Sequence, residues 1–237
     1  MSGHLQDHPS PTLDEYKLLL ETKWTRPVAC QNQCFPAETC RCQRHIVHIE
    51  AIKQWWLRKT SETSEQTKLL RLLDEMPPAN HRTFPLEPQK LFAGKYSGLA
   101  VFSLLLRHDR GELMDRFYDS GIHDNHLAIV SDRTLQANLR QIMPRDEADA
   151  VLRDFNEHKW QFCPLELTLD MSQPLHDTKV IPPFCHKIKM GDKGGTASIY
   201  WVAVQKDFIS DERLRVAIKD SLYEDPDYGE VSLNAVA

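Results

Sequence analysis

The chain has 237 residues, of which 41% are hydrophobic and 27% are charged, proportions that are ordinary for a globular protein with a buried core. Its formal net charge is -5, from 29 Lys and Arg against 34 Asp and Glu. This balance argues against a general binder of nucleic acid or of anionic membranes, because such proteins carry basic patches.

Targeting signals are not visible in the sequence. The N-terminus lacks the basic and apolar regions of a secretory signal. The longest apolar run, residues 98–106, is about half the ~18 residues that a membrane span needs. We therefore expect an intracellular protein, cytoplasmic or nuclear, whose six cysteines are reduced or bind metal.

The first and larger part of the chain has the pattern of helices. Residues 1–11 are polar and are predicted to be a disordered lead, and residues 12–176 are predicted to form a helical domain that begins with Thr12 as a cap. Apolar residues at helical spacing predict helices over residues 45–59, 64–76, 89–108, 112–121, 131–143 and 145–160. The helix within 89–108 is apolar almost all round, so we expect it to be the most buried.

Some side chains in the predicted helical domain have more than one possible role. Trp55 and Trp56 are adjacent, so we expect only one of them to face inward. The other could be an exposed anchor for another helix or a partner, but core packing within the helical part is the favoured interpretation. His123, Asp124 and His126 could form a metal or acid–base site, but a helix-capping turn is the favoured interpretation. Trp160 is expected to pack at a corner against the part of the chain that follows.

The pattern changes after about Val180. Residues 184–190, 198–204 and 213–220 alternate or are rich in β-branched and aromatic residues, with glycine-rich and charged turns between them. This predicts a three-stranded antiparallel meander within residues 177–237. The fold class is therefore predicted to be α+β, with a boundary near residue 177.

Four cysteines lie close together in the helical part. Cys30, Cys34, Cys40 and Cys42 supply enough thiols for a tetrahedral zinc site, although their spacing is not that of a standard finger. Reduced thiols in a helical hairpin are the favoured alternative, so no metal site is assigned.

The segment "GDKGGTASIY" has the composition of a phosphate-binding loop. Gly191, Gly194 and Gly195 leave backbone N–H groups open to an anion, and Ile199 opens the next strand. Lys219, in "VAIK", would place a positive charge against the phosphates.

These motifs resemble the N-lobe of serine/threonine protein kinases, whose glycine-rich loop and strand-3 lysine have this order. The resemblance implies an ATP site in which Gly191, Gly194 and Gly195 cover the phosphates. It places Ile199 and Ala217 against adenine and Lys219 on the α- and β-phosphates. The chain also contains "GIHDNHLAI", "HKWQFCPLEL" and "IPPFCHKIKMGDKGG". Through these segments residues 90–219 resemble filamentous-fungal proteins in which a helical region directly precedes a kinase-like domain.

The chain departs from the kinase pattern in two ways. Asp192 and Ala197 fall where the loop's first and third glycines belong. The sequence also contains no His-Arg-Asp and no Asp-Phe-Gly motif. The segment "RHDRGEL" at residues 107–113 contains His, Arg and Asp, but in a different order from the kinase motif. Without a catalytic base and magnesium ligands, phosphoryl transfer lacks its positioning groups, so no catalytic residue is assigned.

The sequence thus predicts an inactive kinase-like protein, truncated after the VAIK strand, that binds ATP weakly or not at all. Its helical domain would regulate it or recruit a protein partner. The alternative is a non-catalytic helical interaction protein, with or without structural zinc, whose β-strands are only structural.

Overall fold

The fold was analysed in a computed structural model. The structure describes residues 10–28, 44–76, 91–92, 97–127, 133–164, 179–191, 199–205, 208–209 and 228–231.

Helices dominate the described residues, and the strands are few. The helices are α1 (Pro11–Leu19, continued by a π-helical turn at Leu20–Trp24), α2 (Ile49–Trp56), α3 (Lys68–Glu75), α4 (Leu99–Arg107), α5 (Met114–Asp119), α6 (Arg133–Leu139) and α7 (Arg145–Phe162). The strands are β1 (Thr25–Pro27), β2 (His45–Val47), β3 (Phe184–Gly191), β4 (Ile199–Gln205) and β5 (Tyr228–Val231). The protein is α+β, and no helix in the described ranges is long and apolar enough to span a membrane.

The chain forms two compact units. The helical unit contains the described residues of 1–24 and 49–159, and the β unit contains those of 25–48 and 160–237. This division does not follow the change of sequence pattern near residue 177. Residues 25–48 join the β unit, and the division in α7 falls between Lys159 and Trp160.

The first helix begins slightly earlier than the predicted cap. Ser10 is the N-cap, and its hydroxyl accepts a 3.2 Å hydrogen bond from the Leu13 N–H. Pro11 occupies the first turn, where its missing N–H costs nothing. The prediction that Thr12 is the cap was therefore wrong, because Thr12 lies inside the first turn and is buried.

The segment predicted to be helical from His45 begins as a strand. β2 pairs antiparallel with β1, with Ile46 opposite Arg26. The β-branched pair Ile46 and Val47 suits an extended backbone, and both side chains are buried. Helix α2 starts only at Ile49.

Both tryptophans of α2 are buried. The favoured interpretation, packing within the helical part, is confirmed, whereas the expectation that only one of the two can face inward was wrong. The Trp55 ring lies 5.9 Å from that of Tyr16 and 5.6 Å from that of Trp24. The Trp56 ring lies 5.2 Å from that of Phe102. Adjacent residues of a helix point in directions about 100° apart, and α2 has neighbours on both of those sides.

Helix α4 is the buried helix that the sequence predicts, although it is shorter than residues 89–108. All its residues from Leu99 to Leu106 are buried. Helix α5 ends as predicted, because Gly121 has a φ of 74°, the left-handed conformation that favours glycine after a helix.

The β unit has a three-stranded antiparallel sheet of order β3-β4-β5. Its described buried residues include a cluster formed by Val28, Ile46, Trp160, Ile181 and Phe208. Trp160 thus packs at a corner against this part of the chain, as predicted.

The third strand of the sheet differs from the predicted one. The meander was expected to continue with residues 213–220, which lie outside the described residues. The structure instead pairs β4 with β5, with Val202 opposite Val231 and Gln205 opposite Tyr228. Because β3 pairs with β4 along the same stretch at Val202–Val204, both edges of β4 are occupied there. The third strand that the structure describes is therefore β5, and the strand predicted over residues 213–220 stays a prediction.

Glu75 stabilises the start of α1 from a distant position in the sequence. Its carboxylate accepts hydrogen bonds from the Ser10 hydroxyl at 2.8 Å and from the Thr12 N–H at 3.0 Å. It also accepts hydrogen bonds from the Thr12 hydroxyl and from Arg71, each at 2.8 Å. Desolvation by burial raises the pKa of Glu75, but the hydrogen bonds from Arg71, Thr12 and Ser10 outweigh it and lower the pKa to about 2.

We predict that Glu75→Gln lowers the free energy of unfolding by about 1–2 kcal/mol at pH 7, because it weakens charge-assisted hydrogen bonds. A depressed carboxyl pKa stabilises the fold above the usual value of 4.5, and this contribution is lost as the pH falls towards 2. The difference between the variant and the wild type should therefore shrink below pH 4.5 in urea denaturation. Glu62→Gln, at an exposed position, is the matched control, and an equal effect of both variants at pH 7 would contradict the prediction.

Candidate functional site

The residues of the predicted nucleotide site are only partly described. Gly191 ends β3 and Ile199 begins β4, and the two are paired opposite each other in the antiparallel register. Gly194, Gly195, Ala217 and Lys219 lie outside the described residues. The structure therefore brings together two of the six predicted residues, at the end of the β3–β4 pair where the glycine-rich segment joins the strands.

The backbone geometry at this end is irregular. The register of β3 and β4 shifts between Lys189 and Gly191, so that Lys189 is opposite Tyr200 while Gly191 is opposite Ile199. Such a bulge bends the strand and re-aims the backbone next to it. A bulge directly before the glycine-rich segment is compatible with a ligand-binding turn and equally with an ordinary hairpin.

The cysteine-rich segment lies outside the described residues, including Cys30, Cys34, Cys40 and Cys42. The histidines that follow it do not begin a helix as predicted: His45 lies in β2, and His48 is the last residue before α2. Within the described ranges, no three His, Cys, Asp or Glu side chains are grouped so as to hold a metal ion.

The segment containing His123 and Asp124 is a helix-capping turn, as the favoured interpretation predicted. The Asp124 carboxylate accepts hydrogen bonds from the N–H groups of Ala100 at 2.9 Å and Val101 at 3.1 Å. Gly98, the N-cap residue of α4, has no side chain with which to do this. Asp124 therefore caps the buried helix α4.

Burial disfavours the ionised form of Asp124. Desolvation by burial raises the pKa of its carboxyl group, and the hydrogen bonds from Val101, Ala100 and Leu99 offset this only in part. A carboxylate at a helix N-terminus is favoured by the helix dipole, so the raised pKa shows that burial is the stronger effect here.

The structure reveals a cavity that the sequence did not suggest. It lies between the end of α4 and the middle of α7, within the helical unit, and has a volume of about 140 Å³. Its polar lining comes from His108, Arg110 and Asp154. Two of these belong to the segment 107–113, which the sequence analysis had treated only as a scrambled kinase motif. No pattern in the sequence predicts that this segment and Asp154 line the same cavity, because their proximity depends on how α4 and α7 pack.

One histidine, His108, lines this cavity, and a second, His158, lies beside it. The rings of His108 and His158 are 4.8 Å apart. Desolvation by burial lowers the pKa of His108, with smaller contributions from the charges of His158 and Arg107. His108 is therefore neutral at pH 7, and its Nε2 atom is buried without a hydrogen-bond partner among the described residues.

The chain was compared with protein-family models, curated proteins and solved structures. No protein-family model, curated protein or solved structure matches the chain.

We predict different effects for two substitutions of Asp124. Asp124→Ala removes the capping hydrogen bonds and should lower the free energy of unfolding by about 1–2 kcal/mol. Asp124→Asn keeps an oxygen acceptor and removes the buried charge, so the stability of this variant relative to wild type should improve as the pH rises.

The direction of this change follows from the pKa. Because the folded pKa of Asp124 is raised above 3.8, the wild type loses stability as the pH rises from the unfolded pKa through the folded one. The amide of asparagine does not titrate in this range, so the Asp124→Asn variant does not lose stability in this way as the pH rises. Urea denaturation from about pH 3.5 to pH 7 measures the difference, and a constant gap between the Asp124→Asn variant and wild type over that range would contradict it.

Proposed function

We propose that this chain is a kinase-like protein whose β unit provides an adenine-nucleotide site without phosphotransferase activity. The proposal extends the resemblance of "GDKGGTASIY" and "VAIK" to the kinase N-lobe. Its helical unit would act as the regulatory or recruiting part that contacts another protein.

The observation that carries the proposal is the antiparallel pairing of β3 and β4 with Gly191 opposite Ile199. This pairing makes the glycine-rich segment the connection of a hairpin, which is the position that a kinase-type phosphate loop requires. The loop's N–H groups and the charge of Lys219 are the groups that would receive the phosphates, and Ile199 and Ala217 would cover the adenine.

Phosphoryl transfer is not part of the proposal. The sequence has no His-Arg-Asp base motif and no Asp-Phe-Gly metal ligand, and transfer needs both a positioned nucleophile and bound magnesium. The acidic Asp192 would also repel the phosphates of a nucleotide. We therefore expect weak nucleotide binding without turnover.

The interaction protein remains the second candidate, and one observation favours it. β5 occupies the edge of β4 along Val202–Gln205, where the lysine-bearing strand of a kinase lobe would lie. In this alternative the β unit is a structural element, and the helical unit alone carries the function.

We predict that Mg·ATP binds the full chain and that Lys219→Ala weakens binding about ten- to hundredfold, because a charge-assisted contact to phosphate is lost. Isothermal titration calorimetry measures the binding, and circular dichroism establishes that the variant is folded. Lys23→Ala, which removes the same charge from an exposed position in the helical unit, is the matched control.

Two results would decide against the nucleotide site. One is the absence of saturable heat with Mg·ATP for the folded wild type. The other is equal affinity of the Lys219→Ala and Lys23→Ala variants. Either result would leave the interaction protein as the function to pursue.

A further inference from the structure

The cavity between α4 and α7 has the size and walls of a small-ligand site. Its apolar walls come from Leu104 and Leu105 on α4 and from Ala150, Val151 and Phe155 on α7. A volume of about 140 Å³ is close to that of engineered apolar cavities that take up benzene. The guest that fits is therefore an apolar body of about six or seven heavy atoms.

Two polar groups of the cavity lining, the Asp154 carboxylate and the His108 Nε2 atom, are open to a bound ligand. Asp154 lies at the exposed edge of the cavity, and the ion pairs of the described residues do not include its carboxylate. The Nε2 atom of His108 is buried without a hydrogen-bond partner in the described part of the chain. A carboxylate accepts hydrogen bonds, and the Nε2 atom of a neutral imidazole accepts one when the ring proton is on Nδ1. In that tautomer both groups can receive the N–H groups of one donor.

Two arginines lie near these acceptors. Arg107 acts on the His108 ring by its charge but does not line the cavity. Arg110 lines the cavity, but its guanidinium is paired with Glu147 at 3.0 Å. The cavity lies at the C-terminal end of α4, where the helix dipole is negative and favours a cation. Among the described residues, Asp154 is thus the charge of the lining that no opposite charge neutralises.

We propose that this cavity binds a small apolar primary amine, with its ammonium group at Asp154 and His108 and its apolar body among the leucines and Phe155. The ammonium has three N–H donors for these two acceptors and for water. An anionic guest would face the carboxylate of Asp154, and a purely apolar guest would leave the buried Nε2 atom of His108 without a partner. This site is separate from the proposed nucleotide site and does not depend on it.

Benzylamine is a suitable probe, because it has a benzene-sized body and one ammonium group. A titration of the full chain, followed by amide chemical shifts in NMR, should give saturable shifts centred on His108 and Val151. Benzyl alcohol and benzoate have the same body with a neutral or an anionic head. We expect benzylamine to bind more tightly than either.

Two kinds of variant test the residues. Asp154→Asn should weaken benzylamine binding about two- to fivefold, as expected for an exposed ion pair. Asp146→Asn on the same helix removes the same charge away from the cavity and should leave binding unchanged. Ala150→Leu should fill the cavity and abolish the shifts, while thermal denaturation establishes that the variant remains folded.

The proposal is overturned if no saturable shift appears with benzylamine, or if benzyl alcohol or benzoate binds as tightly. It is also overturned if Asp154→Asn and Asp146→Asn bind benzylamine equally, or if folded Ala150→Leu still binds it. Tighter binding of benzylamine, with losses confined to Asp154→Asn and Ala150→Leu, supports it.

Discussion

The burial of Tyr16 is the constraint on which the helical unit depends. Its ring is fully buried and lies 5.8–5.9 Å from the rings of Trp24, Trp55 and Trp56. Its hydroxyl donates a 3.2 Å hydrogen bond to the Ser103 carbonyl on α4. Desolvation raises the pKa of Tyr16 far above its usual range, so the hydroxyl stays protonated and remains a donor. One side chain thereby joins α1, α2 and α4 through aromatic packing and a satisfied polar group.

Two helix starts in this unit are stabilised by carboxylates from elsewhere in the chain. Glu75 receives hydrogen bonds at the beginning of α1, and Asp124 receives those at the beginning of α4. Their pKa values shift in opposite directions, downward for Glu75 and upward for Asp124. The reason is that Glu75 gains several donors, including Arg71, while the desolvation of Asp124 exceeds the gain from its backbone donors.

The two candidate sites depend on different kinds of information. The nucleotide site is a sequence hypothesis, since most of its residues, including Gly194 and Lys219, lie outside the described residues. The described part contributes the pairing of Gly191 with Ile199. The cavity at His108 and Asp154 is instead a product of packing, because neither residue lies in a recognisable motif and the two are far apart in the chain.

The sequence by itself determined the helical character of the first part, the burial of α4, the helix end at Gly121 and the strand pair around the glycine-rich segment. These features follow from local periodicity and from single residues with restricted backbone preferences. The tertiary structure decided that Ser10 caps α1, that both Trp55 and Trp56 are buried, and that β5 lies beside β4. Each of these depends on which surfaces meet, and contacts between residues far apart in the chain have no local periodicity to reveal them.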